Sequence, residues 1–218
     1  MNSRNRCLQL MLACVFGLCL IPVAGCRTKI ADLKTPSGTY SAYREAREKG
    51  DFQAIFDLLV TQVRDQISVT NRNFLEASRL IQTGFPSAMR QQALADLGPA
   101  EVREAQAPAD YYAALCRLGS SGMEVSLSVA ERWSAEVKTI REDPPGSGKY
   151  LVSPMSGAVV ELFREEDGRV HMVPARRDLS LIGREYTRSF ERLEAVRDAL
   201  KTMGNGNGGA RGPTVRSP

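Results

Sequence analysis

Apolar positions recur at helical spacing through the first half of the chain. Between residues 52 and 67 they follow one another at steps of three and four, which predicts a helix face that packs into a core. Thr35 and Gly50 predict the start and end of an earlier helix, and Asp51 predicts the cap of the next one. The apolar period falters at residues 68–73. The sequence there is compatible with a kink, with a loop or with one long helix. Further helices are predicted at residues 87–97 and 109–118.

The period changes to two after Gly122. Apolar residues at positions 123, 125, 127 and 129 alternate with polar ones, which predicts a half-buried strand. The alternation continues from Trp133 to Thr139, either as a second strand or as the first one after a bulge. The Pro-Pro-Gly sequence at residues 144–146 predicts a turn. Strands are predicted at residues 150–153, 158–164 and 169–173, and a closing helix at residues 179–203.

The last two strands are predicted to pair as a hairpin. Its turn is Asp167-Gly168, a dipeptide that suits the two positive-φ positions of a type I′ turn. That turn places Leu162 opposite Val173 and His171 opposite Arg164. Both faces of the hairpin then carry apolar pairs, which predicts a sheet covered by helices on one side and partly covered on the other.

The N-terminus has the three parts of a secretory signal. Arg4 and Arg6 are the only ionised side chains before Arg27, and an apolar run at residues 10–21 precedes a group of small residues. A membrane-spanning helix is the competing interpretation, because about 20 apolar residues would cross a bilayer. Pro22 and Gly25 shorten the continuous helical segment and favour a signal peptide.

Val23, Ala24, Gly25 and Cys26 resemble the lipobox of bacterial lipoproteins. The resemblance implies cleavage before Cys26, acylation of its thiol and new amino group, and attachment to a membrane of the cell envelope on its periplasmic side. In enteric members of that family an Asp directly after the modified Cys favours retention in the inner membrane, so the resemblance implies that Arg27 in this position favours the outer membrane. The predicted organisation is a signal peptide at residues 1–25, a lipidated tether at 26–34, one domain at 35–203 and a disordered Gly-rich tail at 204–218.

The net charge and the cysteine content of the chain limit the classes of function that the protein can have. The whole chain of 218 residues carries a net charge of +4, but Arg4 and Arg6 belong to the leader, so the mature chain is close to neutral. It lacks the basic footprint of a nucleic-acid-binding protein. Four of the five cysteines lie at or before Cys26, which leaves Cys116 without a disulfide partner. We interpret Cys116 as a small apolar residue on a helix face.

The segment TPSGTYSAYREAREKGDFQAIFDLL, residues 35–59, is similar to the opening of small secreted members of the nuclear transport factor two-like superfamily. That resemblance implies an α+β fold in which N-terminal helices pack on a curved antiparallel sheet and form a cone with a pocket. The chain departs from this pattern in a longer middle, residues 71–122, and in an additional C-terminal helix after Asp178.

Four residues are candidates for chemistry in such a pocket: Tyr40, Tyr43, Glu161 and His171. Catalysis would need a carboxylate or histidine beside a hydrogen-bond donor in a dry cavity, and these four form no motif. His171 is the only histidine, which excludes a multi-histidine metal site, and we interpret it as a partly exposed sheet residue. The acidic residues 165–167 lack the spacing of a calcium loop and predict a solvated hairpin tip.

We therefore expect a lipid-anchored envelope protein whose domain binds a small apolar ligand or another envelope protein without catalysis, cofactor or metal. The Gly-rich tail has the composition of a phosphate-binding loop but not its flanking strand and helix. The alternative is a cavity enzyme, namely an isomerase, dehydratase or hydrolase acting on an apolar molecule. An all-helical envelope scaffold is a third possibility, which strands at residues 123–129 and 158–173 would exclude.

Overall fold

A computed structural model describes residues 31–118, 136–155 and 159–206. Residues Ala31–Pro218 form one compact unit. Its described part contains seven α-helices and four strands, which gives an α+β fold. The helices are α1 (Pro36–Lys49), α2 (Phe52–Leu58), α3 (Thr61–Gly84), α4 (Ser87–Leu97), α5 (Ala100–Arg103), α6 (Pro108–Arg117) and α7 (Arg176–Gly206). The strands are β1 (Val137–Glu142), β2 (Lys149–Pro154), β3 (Val160–Arg164) and β4 (Val170–Val173).

The first two helices begin and end where the sequence predicts. Thr35 caps α1 by accepting a hydrogen bond from the Gly38 backbone N–H, and Gly50 ends it in the left-handed conformation, at φ 65°. Asp51 caps α2 by accepting from the Ala54 N–H. The predictions for α4 and for a helix at about residues 109–118 are also confirmed.

Helix α3 runs unbroken through residues 68–73, so the kink or loop that was open there does not form. The chain instead turns between α2 and α3, at Leu59 and Val60. The apolar period falters because Asn71 and Asn73 are buried and hydrogen-bonded rather than exposed. Asn71 donates to the Ala105 carbonyl oxygen at 2.7 Å, which pins the loop before α6 against α3.

The four strands form an antiparallel meander in the order β1-β2-β3-β4. Val152, Leu162, Val170 and Met172 belong to the buried core of the domain. The free edge of β4 is covered by segments from the N-terminal half. The Val170 N–H donates to the Leu33 carbonyl, the Thr39 hydroxyl donates to the Val170 carbonyl, and the Val60 N–H donates to the Met172 carbonyl. A covered edge leaves fewer backbone groups open to pairing with another chain.

The predicted register of the β3–β4 hairpin is wrong by one residue. Leu162 pairs with Met172, and His171 lies opposite Phe163 instead of Arg164. The type I′ turn needs positive φ at two residues, but only Gly168 adopts it, at 77°. The hairpin therefore closes with a three-residue loop, in which the Gly168 N–H donates to the Glu165 carbonyl and the Glu165 N–H donates to the Arg169 carbonyl.

The closing helix α7 packs against α3 in the same direction. The Asn73 side chain contacts Ser189 near the middle of both helices, and Gly84 meets Leu200 near their ends. A Cβ atom at Gly84 would lie 2.5 Å from Leu200 Cδ2, so glycine allows the close approach. The helix continues to Gly206, beyond the predicted domain end at Met203.

Several predictions concern residues outside the described part of the chain. These are the signal peptide with Cys26, the strand at residues 123–129, the alternation at residues 133–135, the start of the strand at residue 158 and the tail beyond Gly206. Strands β3 and β4 are sufficient to exclude the all-helical scaffold. Among the described residues, no helix is both long and apolar enough to cross a membrane.

Candidate functional site

A cavity of about 320 Å³ opens between the N-terminal helices and one end of the sheet. Its apolar wall comes from α2, from the Leu59 turn and from the last two strands. Ile55, Leu59, Val160 and Met172 supply that wall. A pocket of this size with an apolar wall is typical of a site for a small molecule.

Besides Arg176, four hydrogen-bonding side chains among the described residues reach the same cavity, each from a different element. Tyr43 comes from α1, Tyr112 from α6, Glu161 from β3 and Asp178 from the first turn of α7. The cap at Thr35 fixes where α1 begins and hence which of its faces carries Tyr43. Pro108 in the first turn of α6 does the same for Tyr112. The cavity thus combines two phenol hydroxyls and two carboxyls with the Arg176 guanidinium.

Burial is the largest influence on the pKa of two of these groups, Asp178 and Tyr112. Desolvation raises the pKa of Asp178 above its ordinary value of 3.8, although the charge of Arg177 opposes the rise. Burial raises the pKa of Tyr112 well above 10.0, aided by Cys116 and by the charge of Asp178. Glu161 differs because it forms a 3.1 Å ion pair with Lys149. Of the two carboxyls, Asp178 is therefore the one whose negative charge is less compensated by its neighbours.

The structure brings two of the four predicted candidates into this cavity. Tyr43 and Glu161 line it, whereas Tyr40 and His171 do not. Tyr40 is buried one turn before Tyr43 with its ring centroid 6.3 Å from that of Tyr43, so it supports the cavity wall from the core. Burial and the neighbouring Tyr43 raise the pKa of Tyr40.

His171 is not the partly exposed sheet residue that the sequence predicts. Its exposed fraction is 3%, and within the described residues neither ring nitrogen has a hydrogen-bond partner. Its nearest charged neighbour is Glu165, whose Oε2 lies 3.6 Å from the imidazole Nε2. The one-residue change of hairpin register is what brings this pair together, because it removes Arg164 from the position opposite His171.

Glu165 is likewise less solvated than a hairpin tip predicts. Its Oε1 accepts a 2.6 Å hydrogen bond from the Thr61 backbone N–H, and its Oε2 accepts one from the Thr61 hydroxyl at 2.5 Å. Burial would raise the pKa of Glu165, but these hydrogen bonds, with the charges of His171 and Arg64, outweigh it and hold the pKa below 4.5. Glu166 and Asp167 are exposed, as predicted.

A second cavity of about 350 Å³ lies among the helices and is mostly apolar. Phe74 and Tyr111 line it, and the Arg192 guanidinium stacks on the Phe74 ring, 5.1 Å from its centroid. Arg192 is also paired with Glu185 at 3.1 Å. The two charged side chains described in this cavity, Arg192 and Glu185, thus neutralise each other.

The sequence did not single out Tyr112 and Asp178. Tyr112 lies in an apolar helix pattern in which any face could be the core, and Asp178 in the first turn of α7 is equally typical of helix capping chemistry. Only the packing of α6 and α7 beside β3 makes them neighbours. Comparison of the chain with protein-family models, curated proteins and solved structures finds no match.

Proposed function

We propose that this protein is a lipid-anchored component of the cell envelope whose domain binds a small molecule in the cavity between α1, α2, α6 and β3. The observation that carries the proposal is the combination of an apolar wall with five hydrogen-bonding side chains, Arg176 among them, in one cavity of about 320 Å³. Such an arrangement buries the body of a ligand and orients it by a few polar contacts.

The polar groups indicate the chemistry of the ligand. Two tyrosines and two carboxyls offer more acceptors than donors, and Asp178 has no ion-pair partner among the described residues. Among the residues that the structure describes, Arg176 is the one cationic side chain that lines the cavity. A ligand with an apolar body and an amino group would neutralise Asp178 and fill the apolar wall. Desolvated charge pairs of this kind select one ligand over another more strongly than apolar contact does.

The cone-shaped arrangement of the nuclear transport factor two-like superfamily belongs to the same proposal. The order of elements supports it, because helices precede an antiparallel sheet and the cavity opens between them. The comparison with solved structures adds no support. The binding proposal rests on the cavity and does not depend on this likeness.

Anchoring rests on the sequence around Cys26. A diacylglycerol on the thiol and a further acyl chain on the amino group would hold the protein stably, since two chains suffice where one gives marginal binding. Cys26 lies close in sequence to Leu33, whose carbonyl pairs with Val170 in the sheet. The binding domain would therefore sit close to the membrane surface, facing the periplasm.

Tryptamine is a suitable probe for the cavity because it joins an indole ring to an ammonium group. Isothermal titration of the full chain in detergent should show saturable binding of tryptamine. Indole-3-propionate, which has a carboxylate in place of the ammonium, should bind at least about tenfold more weakly. Asp178→Asn should weaken tryptamine binding by about tenfold, and the distant Glu166→Gln should leave it unchanged. Equal affinity for both probes, or no effect of Asp178→Asn, would contradict the proposal.

A cavity enzyme is the second candidate, favoured by the raised pKa of Asp178 beside Tyr112. A carboxyl that holds its proton more tightly than usual can serve as a general acid or base. The two candidates differ in what Asp178→Asn does. A binding module loses affinity, whereas an isomerase, dehydratase or hydrolase keeps ligand affinity and loses turnover.

A further inference from the structure

Three potential metal ligands converge at the tip of the β3–β4 hairpin. Glu165, Asp167 and His171 each offer one ligand atom, and these atoms lie within 4.8 Å of one another. The closest measured pair is His171 Nε2 and Glu165 Oε2, at 3.6 Å. Two ligands bound to one ion at about 2.0–2.2 Å are separated by a comparable distance. The three-residue hairpin loop produces the arrangement, because it places Asp167 between the other two.

A second observation, independent of the distances between the ligand atoms, concerns the hydrogen bonding of His171. The side chain is buried, yet neither Nδ1 nor Nε2 forms a hydrogen bond with a described residue. A buried imidazole normally donates one hydrogen bond and accepts another, so an unpaired ring is rare. The 3.6 Å separation from Glu165 is too long for a direct hydrogen bond. A cation between the two side chains would give the imidazole Nε2 a partner and would pair with the negative charge of Glu165.

Neighbouring groups hold the two carboxylates in place. Thr61, at the start of α3, donates to both oxygens of Glu165, and Arg64 donates to the Thr61 hydroxyl at 2.9 Å. The Asp167 Oδ1 accepts from the Arg169 backbone N–H at 2.8 Å. Hydrogen bonds of this kind orient the ligands of metal sites and raise their affinity.

The ligand set selects the class of ion. A buried imidazole is a poor ligand for Mg²⁺ or Ca²⁺, which prefer oxygen, whereas one imidazole with two carboxylates suits a divalent first-row transition ion. We propose that Glu165, Asp167 and His171 form a three-ligand Zn²⁺ site that leaves a fourth position open to water. This site is separate from the ligand cavity, since none of its three residues lines that cavity.

The test is a Zn²⁺ titration of the mature chain, purified in detergent after chelator treatment and followed by isothermal titration calorimetry. Wild type should show one saturable site that Asp167→Asn weakens at least about tenfold, since even groups behind the ligands typically contribute 10- to 100-fold in affinity. Asp167 is exposed, so this change should not disturb folding. Glu166→Gln, the exposed neighbour, is the matched control and should bind within about twofold of wild type.

His171→Gln should abolish the site, and Zn²⁺ should raise the melting temperature of wild type but not of Asp167→Asn. If His171→Gln does not fold, Glu165→Gln replaces it, with the same loss expected. Protein from which the leader has been removed before Cys26 is used, so that Cys7, Cys14 and Cys19 contribute no zinc binding. The proposal is overturned if wild type binds no Zn²⁺ or if Asp167→Asn binds as wild type does. A failure of Zn²⁺ binding would not change the expected binding of tryptamine. A failure of tryptamine binding would likewise not change the expected binding of Zn²⁺.

Discussion

The Asn73 side-chain amide donates a 3.0 Å hydrogen bond to the Ser189 hydroxyl, both groups being buried between α3 and α7. The Ser189 hydroxyl in turn donates a hydrogen bond to the Tyr186 carbonyl oxygen at 2.7 Å. This polar contact fixes how the closing helix is placed along α3. Asp178, which lines the cavity, lies in the first turn of the same helix.

Asn73→Ala should lower the free energy of unfolding by about 1–3 kcal/mol, because it leaves the Ser189 hydroxyl without its donor in a buried position. The exposed Arg72→Ala is the matched control and should change stability by less than about 0.5 kcal/mol. Urea unfolding followed by circular dichroism measures both. A double-mutant cycle with Ser189→Ala should give a coupling energy above about 0.5 kcal/mol, and strict additivity would contradict the contact.

Gly38→Ala should destabilise the domain, although alanine is the better helix former by about 1 kcal/mol. A Cβ atom at Gly38 would lie 2.1 Å from the Asp32 carbonyl oxygen, which accepts hydrogen bonds from Thr35. The backbone must move, so we expect a loss of about 1–3 kcal/mol in thermal unfolding. Ser37→Ala, its exposed neighbour, should be nearly neutral. A more stable Gly38→Ala would show that the cap segment does not pack here.

Asp178 should make stability fall as pH rises. Its pKa in the folded state is raised above the ordinary value of 3.8 by burial, so the folded state holds the proton more tightly than the unfolded state. Its contribution to stability is present below 3.8 and is lost as pH rises through the folded pKa. The melting temperature of wild type relative to Asp178→Asn should therefore decrease from pH 3 upward. The exposed Asp65→Asn is the control, and an increasing difference would contradict the burial.

Tyr111 and Tyr112 should respond oppositely to loss of their hydroxyls. The buried Tyr111 hydroxyl has no hydrogen-bond partner among the described residues, and its ring packs on Phe74 with centroids 5.6 Å apart. Tyr111→Phe should be neutral or stabilising by up to about 1 kcal/mol. Tyr112 interacts with Cys116 through its hydroxyl, so Tyr112→Phe should cost about 0.5–1.5 kcal/mol. The same unfolding measurement compares the two, and equal effects would be inconsistent with these contacts.

Local signals in the sequence were sufficient for the helix boundaries. Thr35, Gly50 and Asp51 act on backbone groups a few residues away, so their capping roles can be predicted without knowing the fold. The helix at residues 87–97 and the closing helix follow from similar short-range patterns. The α+β class followed from the change of period from helical to alternating.

Features that depend on distant partners could not be predicted. Asn71 and Asn73 look exposed until Ala105 and Ser189 are known to receive their hydrogen bonds. The hairpin register depends on which loop residues adopt positive φ, and the Asp-Gly dipeptide fits more than one loop type. That single residue of register decides whether His171 meets Arg164 or Glu165. Asp178 becomes a cavity residue only through the packing of α7.

The most direct test of a lipid-anchored binding domain is metabolic labelling of cells with a fatty-acid probe, comparing wild type with Cys26→Ser. Cys116→Ser is the matched control, because Cys116 is buried in the domain and should not be acylated. We expect labelling and membrane fractionation of wild type and Cys116→Ser, and loss of labelling in Cys26→Ser. Equal labelling of wild type and Cys26→Ser would contradict it.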